Sequence, residues 1–358
     1  MARARLAALL FLLLAACNRE GATGPFAESR TPPDLGPRFF APEGWAWGYV
    51  QVGRNPPQRY GVASTWRVPR ADVVVLPGYG ESAETWFETA RELTRSGYSV
   101  WVLDRAGQGG SGRYALPRDL VHAPSFDPDV AALKALVRVV VRPRSGAPLI
   151  LMGHAEGAVV ALRATETGLA ADGLILSSPK LGTEAPAKGM AARIPGLDQL
   201  PGPGWKPWSR GQPDDFARGL THDPWRGAVS KAWQTANPDL RAAGPSLGWR
   251  RAFARASRDA VRDAGAARTS ALMLRTSDDA PKVAALCGAM PACRDDPIKG
   301  ARPALHLEAD PWRRPWLAAV QTFVAGKVDA ARSVGGSATP GDSQASSETS
   351  GDTPRRAD

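Results

Sequence analysis

Histidine and cysteine are scarce in this chain, with four of the one and three of the other among 358 residues. His122, His154, His222 and His306 stand singly along the sequence, and no Cys-x-x-Cys or His-x-x-x-His pair exists. No segment therefore has the spacing of a clustered zinc site, and neither a metal nor another cofactor is expected. The N-terminal apolar run, Leu6 to Ala16, is shorter than the ~20 residues a membrane-crossing helix needs. It follows Met-Ala-Arg-Ala-Arg and ends in small residues, the layout of a secretory signal. Acidic excess is also missing: 45 Lys and Arg stand against 35 Asp and Glu, a formal net charge of +10. With 43% hydrophobic residues the chain is not disordered throughout, and it has material for one large domain or two small ones.

Leu14-Ala15-Ala16-Cys17 resembles the lipobox of bacterial lipoproteins. The resemblance implies a signal peptide over residues 1–17, cleavage before Cys17 and acylation of that cysteine, giving a membrane anchor without a transmembrane helix. An ordinary signal with a chance cysteine is the alternative. Asn18 is not the aspartate that retains such proteins at the inner membrane, so an exported protein on the periplasmic face of the outer membrane is expected. Without Arg3 and Arg5, 43 basic residues face 35 acidic ones, and this +8 balance favours anionic headgroups or polymers. No nucleic-acid module is recognised, and no nucleic-acid partner is expected. Export permits a disulfide between Cys287 and Cys293, six residues apart, with two buried free thiols as the alternative.

Residues 18–58, rich in Gly, Pro and Arg without apolar periodicity, are expected to be a tether. Residues 59–326 form the expected domain, and 327–358, dominated by Gly, Ser, Thr, Asp and Ala, a disordered tail. Within the domain, short apolar runs alternate with helical ones: strands Ala71–Leu76, Tyr98–Leu103, Leu149–Met152, Gly173–Ser177 and Ala271–Leu274, and helices Ala83–Ser96, Asp127–Val140, Glu156 to about Gly168, and Pro311–Val324. That alternation predicts an α/β fold, a mostly parallel sheet with helices on both faces and its site at the carboxyl ends of the strands. Residues 181–255 interrupt it with five of the chain's twelve tryptophans. They read as a helical cap whose tryptophans either line an apolar pocket or form the cap's own core.

Gly153-His154-Ala155-Glu156-Gly157, between a strand and a helix, has the frame of the Gly-x-Ser-x-Gly nucleophile elbow. Pro77-Gly78-Tyr79-Gly80-Glu81 resembles an oxyanion-hole turn, and the loop from Asp104 to Ser111 resembles an Asp-x-x-Gly-x-Gly-x-Ser segment. His122 to Phe126, Leu220 to Pro224, Ala236 to Leu240 and Cys287 to Arg294 also match. Over residues 60–325 the chain is similar to the bacterial lysophospholipase and monoacylglycerol-lipase-like branch of the α/β-hydrolases, often grouped with the serine aminopeptidases.

The resemblance implies a serine nucleophile, a histidine base, an orienting acid and two oxyanion N–H groups, here those of Tyr79 and Glu156. Ala155 stands at the nucleophile position, and a methyl group can neither lose a proton nor attack. The acid maps onto Asp279, with Asp278 adjacent. The family's Gly-Ala-Arg-His-Glu-x-x-x-Glu-x-Asp-x-x-Arg reads here from Gly300 to Arg313 with Pro303 at the histidine. Only Asp279 is chemically intact among the three positions. His306, three residues late, is a packed histidine or a displaced base; Ser111, Ser177, Ser178, His122, His154 and His222 read as structural. Arg294-Asp295-Asp296-Pro297 is poor strand material before the missing base.

The expected protein is a catalytically silent, lipid-anchored hydrolase-fold protein with a pocket for an acyl-lipid or small-ester ligand. The alternatives are a weak carboxylic-ester hydrolase and an envelope scaffold with an unidentified protein partner.

Overall fold

The computed structural model describes residues 23–182, 196–211, 215–276 and 281–336. Eight strands form one sheet: β1 (Ala46–Val50), β2 (Gln58–Ala63), β3 (Asp72–Leu76), β4 (Ser99–Leu103), β5 (Leu149–His154), β6 (Gly173–Ser177), β7 (Ala271–Thr276) and β8 (Cys293–Ile298). Their order is β1-β2-β4-β3-β5-β6-β7-β8. From β4 to β8 every pair is parallel, while β2 pairs antiparallel with both β1 and β4.

The central strands are apolar on both faces because both are covered. Val74, Leu76, Leu151 and Leu176 point to one layer, with α2 (Asp127–Ala135), α3 (Glu156–Glu166) and α7 (Leu247–Asp263). Val73, Val75, Met152 and Ile175 point to the other, against α1 (Phe87–Arg95) and α9 (Asp310–Gly336). The cap is built by α4 (Asp215–Leu220), α5 (Pro224–Gly227), α6 (Val229–Ala236) and α7. Asp223 caps α5 by accepting from the Trp225 and Arg226 N–H groups, and Ser246 caps α7 through the Trp249 N–H.

The expected tether is structured over residues 23–58. Its β1 lies on β2, where Tyr60 packs on Gly48 and Trp45 on Gly61, each ring filling space that a Cβ would occupy. Phe39 is buried with Phe87, Val229 and Trp233, and Phe26 N–H donates to Gly110 O at 2.7 Å. The tail begins later than expected, since α9 runs to Gly336 and buries Val328.

The Asp- and Pro-containing segment before Pro303 does form a strand. β8 is an edge strand with open sides, where carboxylates stay wet and a missing N–H is tolerated. Asp295 pairs with Arg275 of β7 at 2.8 Å, and the Cys287–Cys293 disulfide joins α8 (Pro281–Ala289) to β8 across a Cα separation of 5.4 Å. Cys17 and Asp279, together with Asp278, lie outside the described residues.

Candidate active site

The turn between β5 and α3 holds Ala155 at φ 48° and ψ −116°, a left-handed conformation that side chains rarely adopt. The flanking glycines are forced by contact: a Cβ on Gly157 would lie 2.1 Å from Leu76 O, and one on Gly153 2.4 Å from Ala158 Cα. The backbone is therefore an elbow in full, although its side chain carries no nucleophile.

Ala155 opens onto a cavity of about 280 Å³ whose lining includes Tyr79, Glu156, Ser178, Lys180, Lys282 and Pro303. The nucleophile and base positions thus face one space, as the motif alignment requires. His306 is not in that lining. Its side chain is 0% exposed and its ring stacks on Trp86 at 3.9 Å and 4°. Burial, with His154 and Arg313 nearby, holds its imidazole well below the usual range. It cannot reach a ligand in the cavity as a displaced base.

Tyr79 and Glu156 meet as expected, but in an unexpected state. The Tyr79 N–H donates to Glu156 Oε2 at 2.8 Å, and Lys180 Nζ is 3.3 Å from Oε1. Burial works to raise this carboxyl, yet Lys180, Arg105 and the N–H groups of Tyr79 and of Glu156 itself outweigh it and hold it below its usual range. The Tyr79 N–H, one of the two groups expected to frame an oxyanion, is already paired with a carboxylate, and Glu156 supplies it. The sequence showed Glu156 beside the elbow; that its side chain folds back depends on rotamer and burial.

The turn is braced from behind. Glu81 Oε2 accepts from the Gly78 N–H at 2.7 Å and from Trp86 Nε1 at 3.3 Å, and Gln108 donates to Gly78 O at 2.7 Å. Behind this turn the singly spaced histidines are no longer single. His154 and His306 lie with ring centres 4.7 Å apart, and Glu81 joins them in a buried cluster. Sequence spacing could not reveal it, because the three residues come from three separate segments.

The other polar candidates have structural partners. Ser111 Oγ donates to Asp104 O, Ser177 Oγ accepts from Trp316, and His122 shares a 2.7 Å hydrogen bond with Ser246 Oγ. His222 Nδ1 is 2.6 Å from Glu308 Oε1, and its ring stacks on Trp312. Burial opposes ionisation of Glu308, but the N–H groups of Arg302, His222 and Ala309 hold it below the ordinary carboxyl range. Ser178 is the exception: it faces the cavity at φ 42°, and its buried hydroxyl has no hydrogen-bond partner.

Two further cavities of about 310 Å³ adjoin at Tyr79. One lies under the cap and includes Trp208, Leu220 and Gln234; the other includes Leu181, Trp249 and Phe253. The cap tryptophans divide between the two expected roles: Trp208 and Trp249 line cavities, Trp233 is core, and Trp225 is exposed.

With this geometry established, known proteins place the chain. The profile of the family described as serine aminopeptidase, S33, matches residues 67–283, more than half of the chain. Lysophospholipase L2 of Escherichia coli (strain K12) is 26% identical over 224 residues, 58% of this chain and 63% of that protein, so the match spans less than two thirds of the relative. Among solved structures, a soluble variant of monoglyceride lipase from Saccharomyces cerevisiae, in complex with a substrate analog, aligns with TM-score 0.61 and 16% identity over 83% of this chain and 99% of that one. A thermostable carboxyl esterase from Bacillus coagulans aligns with TM-score 0.61 and 17% identity over 81% and 99%. The chain belongs to the serine aminopeptidase S33 family and has the α/β-hydrolase fold.

Proposed function

We propose that this protein is a catalytically silent member of its family that binds an acyl or glycerolipid ligand at the old active site. One observation carries the reading. At an intact elbow the reacting side chain is the Ala155 methyl, it shares its cavity with Pro303, and the Tyr79 N–H already holds the Glu156 carboxylate. Ester hydrolysis by this route requires a nucleophile, a base and a vacant oxyanion hole. The first two are replaced and the third is filled.

Ligand binding needs none of the three. Leu181, Trp249 and Phe253 offer an apolar wall beside Tyr79, suited to an acyl chain. The relatives named as lysophospholipase and monoglyceride lipase give the ligand class. In this proposal the protein is exported and held at the outer membrane by acylated Cys17, a role supported by the run Leu14 to Cys17, and its basic balance suits anionic headgroups.

Purified protein should show no turnover of a lysophospholipid or short-chain aryl ester, and lipid extraction followed by mass spectrometry should recover a bound acyl species. The double variant Ala155→Ser, Pro303→His should stay near background because an internal carboxylate still fills the hole, and adding Glu156→Ala should restore hydrolysis. Wild-type turnover abolished by Asp279→Ala would overturn catalytic silence. Lipid-free protein with a stable protein partner on pull-down would overturn the ligand. Cys17→Ser should move the protein from the membrane to the soluble fraction.

A further inference from the structure

The Glu81, His154 and His306 cluster has no role in this reading, and its donor atoms are not paired as an ordinary hydrogen-bonded core would pair them. We infer that these three side chains form a site for a divalent transition-metal ion of the zinc type, reached from the cavity at Ala155.

The spacing is the first argument. Glu81 Oε1 lies 3.4 Å from His154 Nε2 and 3.3 Å from His306 Nε2, and the three donor atoms all lie within 4.8 Å of one another. Zinc bonds of about 2.0–2.1 Å in tetrahedral array separate neighbouring donors by about 3.3–3.4 Å. Two edges of the triangle already have that length.

The second argument is an orphaned group. His306 is fully buried, yet neither of its ring nitrogens makes a hydrogen bond, although Glu81 Oε1 lies 3.3 Å from Nε2. Leaving a buried polar group unpaired costs about 1–3 kcal/mol. The Trp86 stack fixes the ring, so Nε2 faces the cluster by packing and not by a hydrogen bond.

The third is the arrangement of the outer partners. His154 Nδ1 lies 3.1 Å from Ser177 O, so that nitrogen is engaged there and Nε2 is the one that faces Glu81. Glu81 Oε2 is taken by the Gly78 and Trp86 N–H groups, leaving Oε1 for an ion. Such partners orient metal ligands in general. Two imidazoles and a carboxylate suit zinc, cobalt or nickel better than magnesium or calcium, which prefer oxygen-rich sets. Glu81 and His154 also line the Ala155 cavity, which supplies a route in and an open fourth corner.

Untagged full-length protein, stripped with chelator, is titrated with cobalt(II) and read by visible absorption. The expected result is one ion per chain, intense bands of four-coordinate cobalt, and displacement by zinc. His306→Leu should weaken binding at least about tenfold, the lower bound for loss of even a supporting group. It should still fold, since an apolar side chain replaces an unpaired polar one, and urea unfolding of the stripped proteins checks this. Glu81→Gln should weaken binding too. No saturable cobalt binding, the pale spectrum of six-coordinate cobalt, or a folded His306→Leu variant with wild-type affinity would each overturn the site.

Discussion

The loop after β4 and the elbow after β5 sit at the carboxyl ends of the two strands that flank β3, and they treat their polar groups in opposite ways. In the loop, Asp104 is buried with both oxygens engaged: Oδ1 accepts from the Ala83 N–H, and Oδ2 from Arg59 and the Gly110 N–H. Arg59 reaches Glu84 as well and lies 4.0 Å from the Trp47 ring centre. Asp104 thus ties the backbone at Ala83 and at Gly110 to Arg59 of β2, so losing it unsettles three segments. At the elbow the glycines and the strained backbone surround Ala155, whose side chain is a bare methyl, with Pro303 across the same cavity. The contrast separates two kinds of constraint. Some residues are fixed by what their side chains hold, others only by the backbone conformation they adopt.

The largest expected effect tests the loop. Asp104→Ala strips Arg59 of its 2.6 Å partner and leaves the Ala83 and Gly110 N–H groups unpaired in the interior. Breaking a buried pair from one side costs about 3–5 kcal/mol. Urea unfolding should show that loss, and a loss under 1 kcal/mol would mean that the loop is no more constrained than the elbow chemistry. Next comes the elbow's own scaffold. Gly157→Ala places a methyl 2.1 Å from Leu76 O, a backbone atom that cannot move aside, and overpacking of this kind costs about 1–3 kcal/mol. A neutral result would show that the elbow glycines are relics, not packing requirements.

The same division explains what could be read before the structure. Apolar runs such as Gly173–Ser177 and Leu149–Met152 mark β6 and β5 because strands buried on both faces carry no polar punctuation. β1 and β2 escaped because their aromatics are interleaved with glycine and flanked by Pro56 and Pro57. The alternation Trp45, Trp47, Tyr49 against Tyr60 was the available signal. β8 was discounted for residues that an edge position tolerates. At the site, the positions of Ala155, Pro303, Tyr79 and Glu156 followed from motif spacing, since spacing fixes backbone. The Glu156 carboxylate on the Tyr79 N–H and the convergence of Glu81, His154 and His306 did not, since both depend on side-chain direction across separate segments.

A pH experiment sharpens the comparison within the loop side. Asp129, beside the loop at the start of α2, is buried without a hydrogen-bonded cation; burial pushes its carboxyl up to about 6 against the pull of Arg105 and the Ala106 N–H. The ordinary value in an unfolded chain is about 3.9. The folded state therefore holds this proton more tightly. Its contribution to stability is full below pH ~4 and is lost as pH rises through about 6. Asp129→Asn should remove that slope, so the stability difference between wild type and variant should change by on the order of 2 kcal/mol between pH 4 and 8. A pH-independent difference would show that burial does not raise the Asp129 carboxyl.

The smallest effect is the most direct test of a scaffold without chemistry. Ala155 holds φ at 48° with only a methyl to place there, and strain of this kind is worth about 1–3 kcal/mol in a residue with a Cβ. Glycine adopts the conformation without strain, although its extra freedom in the unfolded chain subtracts about 0.5–1 kcal/mol. The balance predicts that Ala155→Gly stabilises the protein by about 1 kcal/mol, seen as a higher urea midpoint at unchanged slope. The exchange removes a methyl and no polar partner, so the backbone term decides the sign. A drop in the midpoint would mean that the Ala155 methyl is itself a needed contact in the cavity, and the elbow would then be kept for the ligand it meets.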